Sequence, residues 1–368
     1  MNEAACAALV QRAEETHSDA LVVRHNGHVI GEWRFGSERD PIQTMSCTKS
    51  VVSLAVGALI DDGAISSLDQ PVHEFYPEWR QGAKQRITIR HLLNHTSGLQ
   101  NVFNTEAEIY PSPDVIRLAL AAELSDEPGT YFSYNNKAVN LLAGVVERAA
   151  GERMDRYLQN RIFAPLGIAE FDWTLDPAGT PYAMAGLALR AADLAKIGQL
   201  VLDCGVWNGV RLISEGWVDA SFAPGQPHVD RCGLLWWRVP AYERFVIDDE
   251  RFADLEVAGV DATFLDALRP LANITFDTRP AYQHALGEVL GPEWAVRIVD
   301  EIERRGLLLS KRTAGEIVAY ESNGWLGQYL VVYPAAGIVA VRLIRDSPAY
   351  NADTDGFPDF VQQVLSLR

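Results

Sequence analysis

Ser46-Cys47-Thr48-Lys49 runs directly into Val51, Val52, Leu54, Ala55, Val56, Leu59 and Ile60, and the apolar series stops at Asp62-Gly63. This pattern predicts a helix from Ser46 to about Asp61. A serine and a lysine three residues apart at its start share one face, about one turn apart. An unactivated hydroxyl needs such a neighbour, a base within hydrogen-bond reach. The helix N-terminus adds free N–H groups and a positive dipole end, which favour developing negative charge. Most serines so placed are simply N-caps, so the rest of the chain must decide.

Two further stretches bear on the question. Tyr134-Asn135-Asn136 follows the aromatic turn Tyr131-Phe132 and opens a helix through Val139, Leu141, Leu142, Val145 and Val146. A Tyr-x-Asn at such a junction can turn a phenol and an amide into one cleft. Much later, Trp325-Leu326-Gly327-Gln328-Tyr329 leads into the apolar strand Leu330 to Tyr333, with Gly324 and Gly327 at its entry. Glycine there allows close approach to the backbone.

With these three pieces in this order, the sequence resembles the serine β-lactamase and penicillin-binding-protein superfamily, of which Ser-x-x-Lys is a signature. Within it the likeness is to the class C-like branch of D-aminopeptidases, carboxylesterases and oligomeric-amide hydrolases. Ile87 through His95-Thr96-Ser97-Gly98-Leu99 resembles the helix and turn ahead of the second motif. Gly186 to Leu189 followed by Ala192 to Gly198 resembles a later segment. The likeness spans roughly 18–235 and 315–345. It implies an α+β fold, a β-lactamase/transpeptidase-like antiparallel sheet flanked by helices with an inserted all-α subdomain.

The chain pattern points the same way. A helix over Asn2 to about Glu15 precedes two strands joined by an Asn26-Gly27 turn. Strands return near Ile317 to Glu321, Gln328 to Tyr333 and Ile338 to Ile344, and a last helix spans about Gly356 to Leu367. A sheet drawn from about 18–45 and 315–345, around a mostly helical region of about 46–205, makes 1–368 a single catalytic domain. A segment from about Tyr242 to Arg312 departs from the resembled pattern and carries two or three helical patterns. It is either a helical addition or oligomer contact, or a lid that sets substrate size.

At 368 residues the chain supports a large core. A formal net charge of −17 argues against nucleic acid or an anionic membrane as partner. Met1-Asn2-Glu3-Ala4 lacks the basic start of a signal peptide, and no apolar stretch is long enough to span a bilayer. The expectation is a cytoplasmic protein acting on a small molecule, its oligomeric state open. Cys6, Cys47, Cys204 and Cys232 share no Cys-x-x-Cys spacing, and no His-Glu-x-x-His cluster occurs, so neither metal nor organic cofactor is expected. Cys47 points about 100° away from Ser46 on a helix and reads as a buried small side chain.

The resemblance assigns Ser46 as nucleophile. Lys49 is the base if burial leaves it neutral, or it stays charged and Tyr134 is the base; the sequence leaves both open. Asn136 would orient substrate or Lys49, or else cap its helix. The oxyanion donors would be the N–H groups of Ser46 and Gln328. Trp325 takes the first position of the third motif, where antibiotic-hydrolysing relatives carry a lysine or histidine, and Gly327 takes its glycine. An indole offers stacking area but no charge. Trp325, with Trp236 and Trp237 as an added wall or as core, therefore favours ester, amide or D-amino-acid-type substrates over penicillins. His95 is read as part of a structural turn, because no Gly-x-Ser-x-Gly elbow exists. The leading function is a serine hydrolase. An acyltransferase of the same fold, a promiscuous β-lactamase and a non-catalytic ligand-binding protein are the alternatives.

Overall fold

Asn26 and Gly27 take φ angles of +49° and +81°, the left-handed pair that a two-residue hairpin turn needs. They join strand β1 (Ala20–His25) to β2 (His28–Arg34). The computed structural model describes residues 1–36, 41–102 and 104–368; within the expected 18–45 sheet stretch, residues 37–40 lie outside the described residues. Four more strands complete the central sheet: β3 (Trp237–Pro240), β4 (Ile317–Gly324), β5 (Gln328–Tyr333) and β6 (Ile338–Leu343). Their order is β2-β1-β6-β5-β4-β3, and β1 pairs antiparallel with β6 from the other end of the chain.

Helices cover this sheet. Helix α1 (Glu3–Glu15) is capped by the Asn2 side chain, which accepts from the Ala5 N–H. Helix α2 (Thr48–Asp61) is buried from Thr48 to Leu59, and each large aliphatic side chain taken out of water there contributes about 1.5–3 kcal/mol. Helix α3 (Asn136–Ala150) ends at Gly151 in a left-handed C-cap. Helix α4 (Ala191–Leu202) lies against β5 and β6. A Cβ on its Gly198 would meet Leu330 and Val339 at 2.6 Å, so glycine there sets the helix-to-sheet distance. A terminal helix, α5 (Phe360–Leu365), packs with α1 and β5.

The mostly helical stretch also holds a small sheet of Ile42–Gln43, Leu187–Leu189 and Asp172–Trp173. Two-residue strands carry no periodicity, so nothing in the sequence announced two of them.

The chain divides into two compact units, one of Met1–Val239 with Ala319–Arg368, the other of Pro240–Val318. The second unit holds helices at Ala262–Leu268, Arg279–Leu290 and Trp294–Glu301, where two or three helical patterns are expected. It adds a helix at Asp249–Val257 and a three-stranded sheet of Thr275–Phe276, Glu243–Val246 and Lys311–Ala314. It has its own core around Phe245, Phe252, Phe264 and Leu268. Within it Glu243 is gripped by Arg279 at 2.7 Å and by Arg312 at 2.6 Å.

Candidate active site

Ser46 sits in a 3₁₀ turn, Met45–Cys47, that feeds α2. Met45 before it takes φ +48°, a strained conformation for a long side chain. The turn is anchored on the small sheet: the Thr44 N–H and hydroxyl both donate to the Leu187 carbonyl at 2.8 Å. Backbone strain of this kind aims one side chain out of an otherwise buried segment.

Lys49, one turn on, brings its Nζ to 2.8 Å from Ser46 Oγ and donates to the Met184 carbonyl at 2.6 Å. The lysine is 3% exposed. Burial brings its pKa down to about 7, opposed only by the thiol of Cys47. The amine is therefore divided between charged and neutral forms near neutral pH. Met184 is itself held by Asn140 of α3, whose Oδ1 accepts the Met184 N–H at 3.0 Å.

The half-buried Tyr134 hydrogen-bonds to Ser46, and Lys49 Nζ lies 4.9 Å from the centre of its ring. Burial pushes the phenol well above its ordinary value, with the Ser46 contact opposing. Its ring lies between His95, at 4.5 Å, and Trp237, stacked at 6.1 Å. His95 accepts the Asn135 N–H on Nδ1 at 3.2 Å, and burial, then Lys49, lowers its pKa to about 3. It is a neutral imidazole that seats the Tyr134 loop, in keeping with a structural turn.

Asn135, not Asn136, caps α3, accepting the Ala138 N–H at 3.0 Å. The alternative reading of Asn136 as a cap thus fails. Its Oδ1 is buried and finds no partner among the described residues, while Lys49 bonds Ser46 and Met184 instead. Cys47 is fully buried against the Ser322 carbonyl, and desolvation pushes its thiol up to about 12.

The stretch that faces Ser46 lies three residues earlier than the one the resemblance assigned to the third motif. Gln328 is fully buried, and its side-chain amide exchanges two hydrogen bonds with the backbone of Ile344. Gly327 needs glycine for a different reason than substrate approach: it has φ +81°, and a Cβ would meet the Gly356 carbonyl at 2.3 Å. Among the described residues, neither lines the two cavities found at Ser46. Ser322-Asn323-Gly324 does the facing instead. A Cβ on Gly324 would lie 2.8 Å from the Ser46 nitrogen, and Asn323 lines the cleft. The shift was hidden because Gly324 and Gly327 flank one turn, and sequence alone does not say which glycine touches the nucleophile.

Ser46, Tyr134, Trp237, Asn323, Gly324 and Trp325 line an outer cavity of about 370 Å³. Trp325 is 64% exposed there. Trp236 is a core residue that reaches a narrow inner cavity beside Lys49; Trp237 lines both cavities. The neighbouring cation, Arg231, lies over the Trp237 ring and pairs with Glu321 at 3.2 Å, which also accepts from Asn323 at 3.2 Å.

The Beta-lactamase family model matches residues 6–357. The chain belongs to the Beta-lactamase family. It is 32% identical to the 6-aminohexanoate-dimer hydrolase of Paenarthrobacter ureafaciens over 240 residues, 59% of this chain and 60% of that protein. It is 32% identical to esterase EstB of Burkholderia gladioli over 144 residues, 34% of this chain and 36% of that protein. The matches thus span less than two thirds of these relatives' lengths. Among solved structures it resembles EstCE1, described as a hydrolase with promiscuous acyltransferase activity, with a TM-score of 0.63, 16% identity and coverage of 99% and 97%. That likeness concerns the fold. Among the described residues, no helix is long and apolar enough to cross a membrane, and no group of three His, Cys, Asp or Glu side chains could hold a metal ion.

Proposed function

We propose that this protein is a serine hydrolase that forms an acyl-enzyme on Ser46. The observation that carries this reading is the 2.8 Å approach of Lys49 Nζ to Ser46 Oγ, with the lysine brought to a pKa of about 7. Neutral Lys49 takes the hydroxyl proton as Ser46 attacks the acyl carbon. Tyr134, bonded to Ser46 and held protonated by burial, passes a proton to the leaving group and is reprotonated by the Lys49 ammonium, which returns Lys49 to its neutral form. Water then attacks the acyl-enzyme and releases the acid.

The oxyanion is received by the N–H groups of Ser46 and Trp325. Trp325 takes this part in place of Gln328 because it follows Gly324, which abuts the Ser46 nitrogen, and it lines the outer cavity. Asn323 and Asn136 offer polar contacts to the substrate, and the faces of Trp325 and Trp237 wall its apolar part. The Ser322 position holds a neutral hydroxyl 2.7 Å from Ser50, where a carboxylate-binding relative would need a cation. The substrate class is accordingly an ester or amide without a free carboxylate, including D-amino-acid amides, ahead of penicillins. An alcohol or amine in place of water would make the same acyl-enzyme an acyltransferase.

On this reading 1–368 is one catalytic domain, since the central sheet takes strands from both sides of Pro240–Val318. The protein acts in the cytoplasm, where four unpaired cysteines fit a reducing compartment. The test is a panel of p-nitrophenyl acetate, a D-alanine anilide and a chromogenic cephalosporin, on wild type and Ser46→Ala. Ser46-dependent turnover of the first two above the third is expected. Turnover that survives Ser46→Ala would overturn the reading.

A further inference from the structure

Arg342 is fully buried in β6. Every donor of its guanidinium is used, and every bonded acceptor is neutral. Nε donates to Ser18 Oγ at 2.8 Å. Nη1 donates to the carbonyls of Leu326 and Gly327, each at 2.9 Å. Nη2 donates to the carbonyls of Thr16 at 2.9 Å and Asp355 at 2.5 Å. Burial lowers its pKa to about 10, still high enough to keep the charge at neutral pH.

A buried guanidinium bonded to no carboxylate is expensive to keep, and a well-packed apolar residue is often the more stable choice. What this one holds is informative. Leu326 and Gly327 are consecutive left-handed residues, at φ +68° and +81°, and such a turn is costly for leucine. Both of their carbonyls converge on one nitrogen of Arg342. The peptide planes that follow Leu326 and Gly327 are thereby fixed, with their oxygens held at Arg342, and through this turn so is the course of the chain just after Trp325. The same turn is pressed by Gly356, whose carbonyl leaves no room for a Cβ on Gly327.

We infer that Arg342 is a positioning residue for the oxyanion site, tying the N-terminal segment at Thr16–Ser18 and the C-terminal segment at Asp355 to the 325–327 turn. This rests on the acyl-enzyme reading above, in which the Trp325 N–H is a donor. Arg342 touches no reacting atom and acts through the backbone it holds. Oxyanion donors must meet the developing charge within a few tenths of an ångström, and losing one costs about 10²–10³ in rate. A lysine ammonium in its place can reach some of the five acceptors but cannot match the planar fork.

The experiment compares Arg342→Lys and the milder Ser18→Ala with wild type, on p-nitrophenyl acetate and on its thionoester. A thiocarbonyl sulfur is a poor hydrogen-bond acceptor, so the ester-to-thionoester ratio of kcat/KM reads donor placement and not general stability. Arg342→Lys is expected to lower ester kcat about tenfold or more, with KM within about twofold, and to collapse the ratio; Ser18→Ala should move it the same way by less. A folded variant in which both substrates slow equally, or neither slows, would overturn the inference. Should Arg342→Lys not fold, Ser18→Ala alone decides: an unchanged ratio sinks the idea. A wild type whose turnover survives Ser46→Ala would instead sink the acyl-enzyme reading itself.

Discussion

Lys49 makes the sharpest prediction, because its charge state sets the rate of acylation. Burial brings its pKa to about 7, with no carboxylate to restore it. Only the neutral amine accepts a proton, so kcat/KM should rise with pH and level off above about pH 8, with its midpoint near 7. One pH unit below the midpoint about one amine in eleven is neutral, so the rate at pH 6 should be about a tenth of its plateau. Lys49→Arg keeps the length and the charge but cannot lose a proton, and should cost about 10²–10⁴ in rate. The assay is kcat/KM on an uncharged p-nitrophenyl ester from about pH 5 to 9, with spontaneous hydrolysis subtracted. A profile flat across this range, or Lys49→Arg retaining most activity, would refute the argument. Lys49 would then be a fixed charge and Tyr134 the base.

The remaining predictions concern stability and the cleft walls. Lys49 has a lower pKa folded than unfolded, so between about pH 7 and 10.5 the unfolded chain binds the extra proton and stability rises with pH. The penalty at and below neutrality is on the order of 4–5 kcal/mol, so Lys49→Met should raise Tm by a few degrees in calorimetry while abolishing activity; a lower Tm would contradict this. Gly324→Ala places a methyl 2.8 Å from both the Ser46 nitrogen and the Thr44 carbonyl oxygen and should cut kcat by about a hundredfold and lower Tm by a few degrees; retained kcat would argue against the shifted motif. Trp325→Ala removes an exposed indole from the outer cavity, and should raise KM severalfold at near-constant Tm. An unchanged KM across the ester panel would remove Trp325 from substrate binding.

Local rules made much of this molecule legible in advance. Asn26-Gly27 specified a hairpin, the Ser46–Lys49 spacing put both side chains on one face, and β5 was visible as an apolar run. What escaped depends on contacts between distant residues. The Met184 carbonyl that holds Lys49 lies 135 residues away, and no pattern in the chain connects the two. Asn140 likewise reads as one more polar residue of a helix until its amide is seen on Met184. The choice between Gly324 and Gly327 turned on which backbone abuts Ser46 and which abuts Gly356, a matter of packing and not of spacing. The strands of the Pro240–Val318 unit are two and four residues long, too short for alternation to stand out beside helices of up to twelve residues.

The central claim is that Ser46 is an activated nucleophile, and intact-mass spectrometry after incubation with a fluorophosphonate tests it most directly. The account predicts one adduct that maps to Ser46, disappears in Ser46→Ala and forms more slowly in Lys49→Ala. An adduct that persists in Ser46→Ala would contradict it, as would a folded wild type with neither an adduct nor Ser46-dependent turnover of p-nitrophenyl acetate.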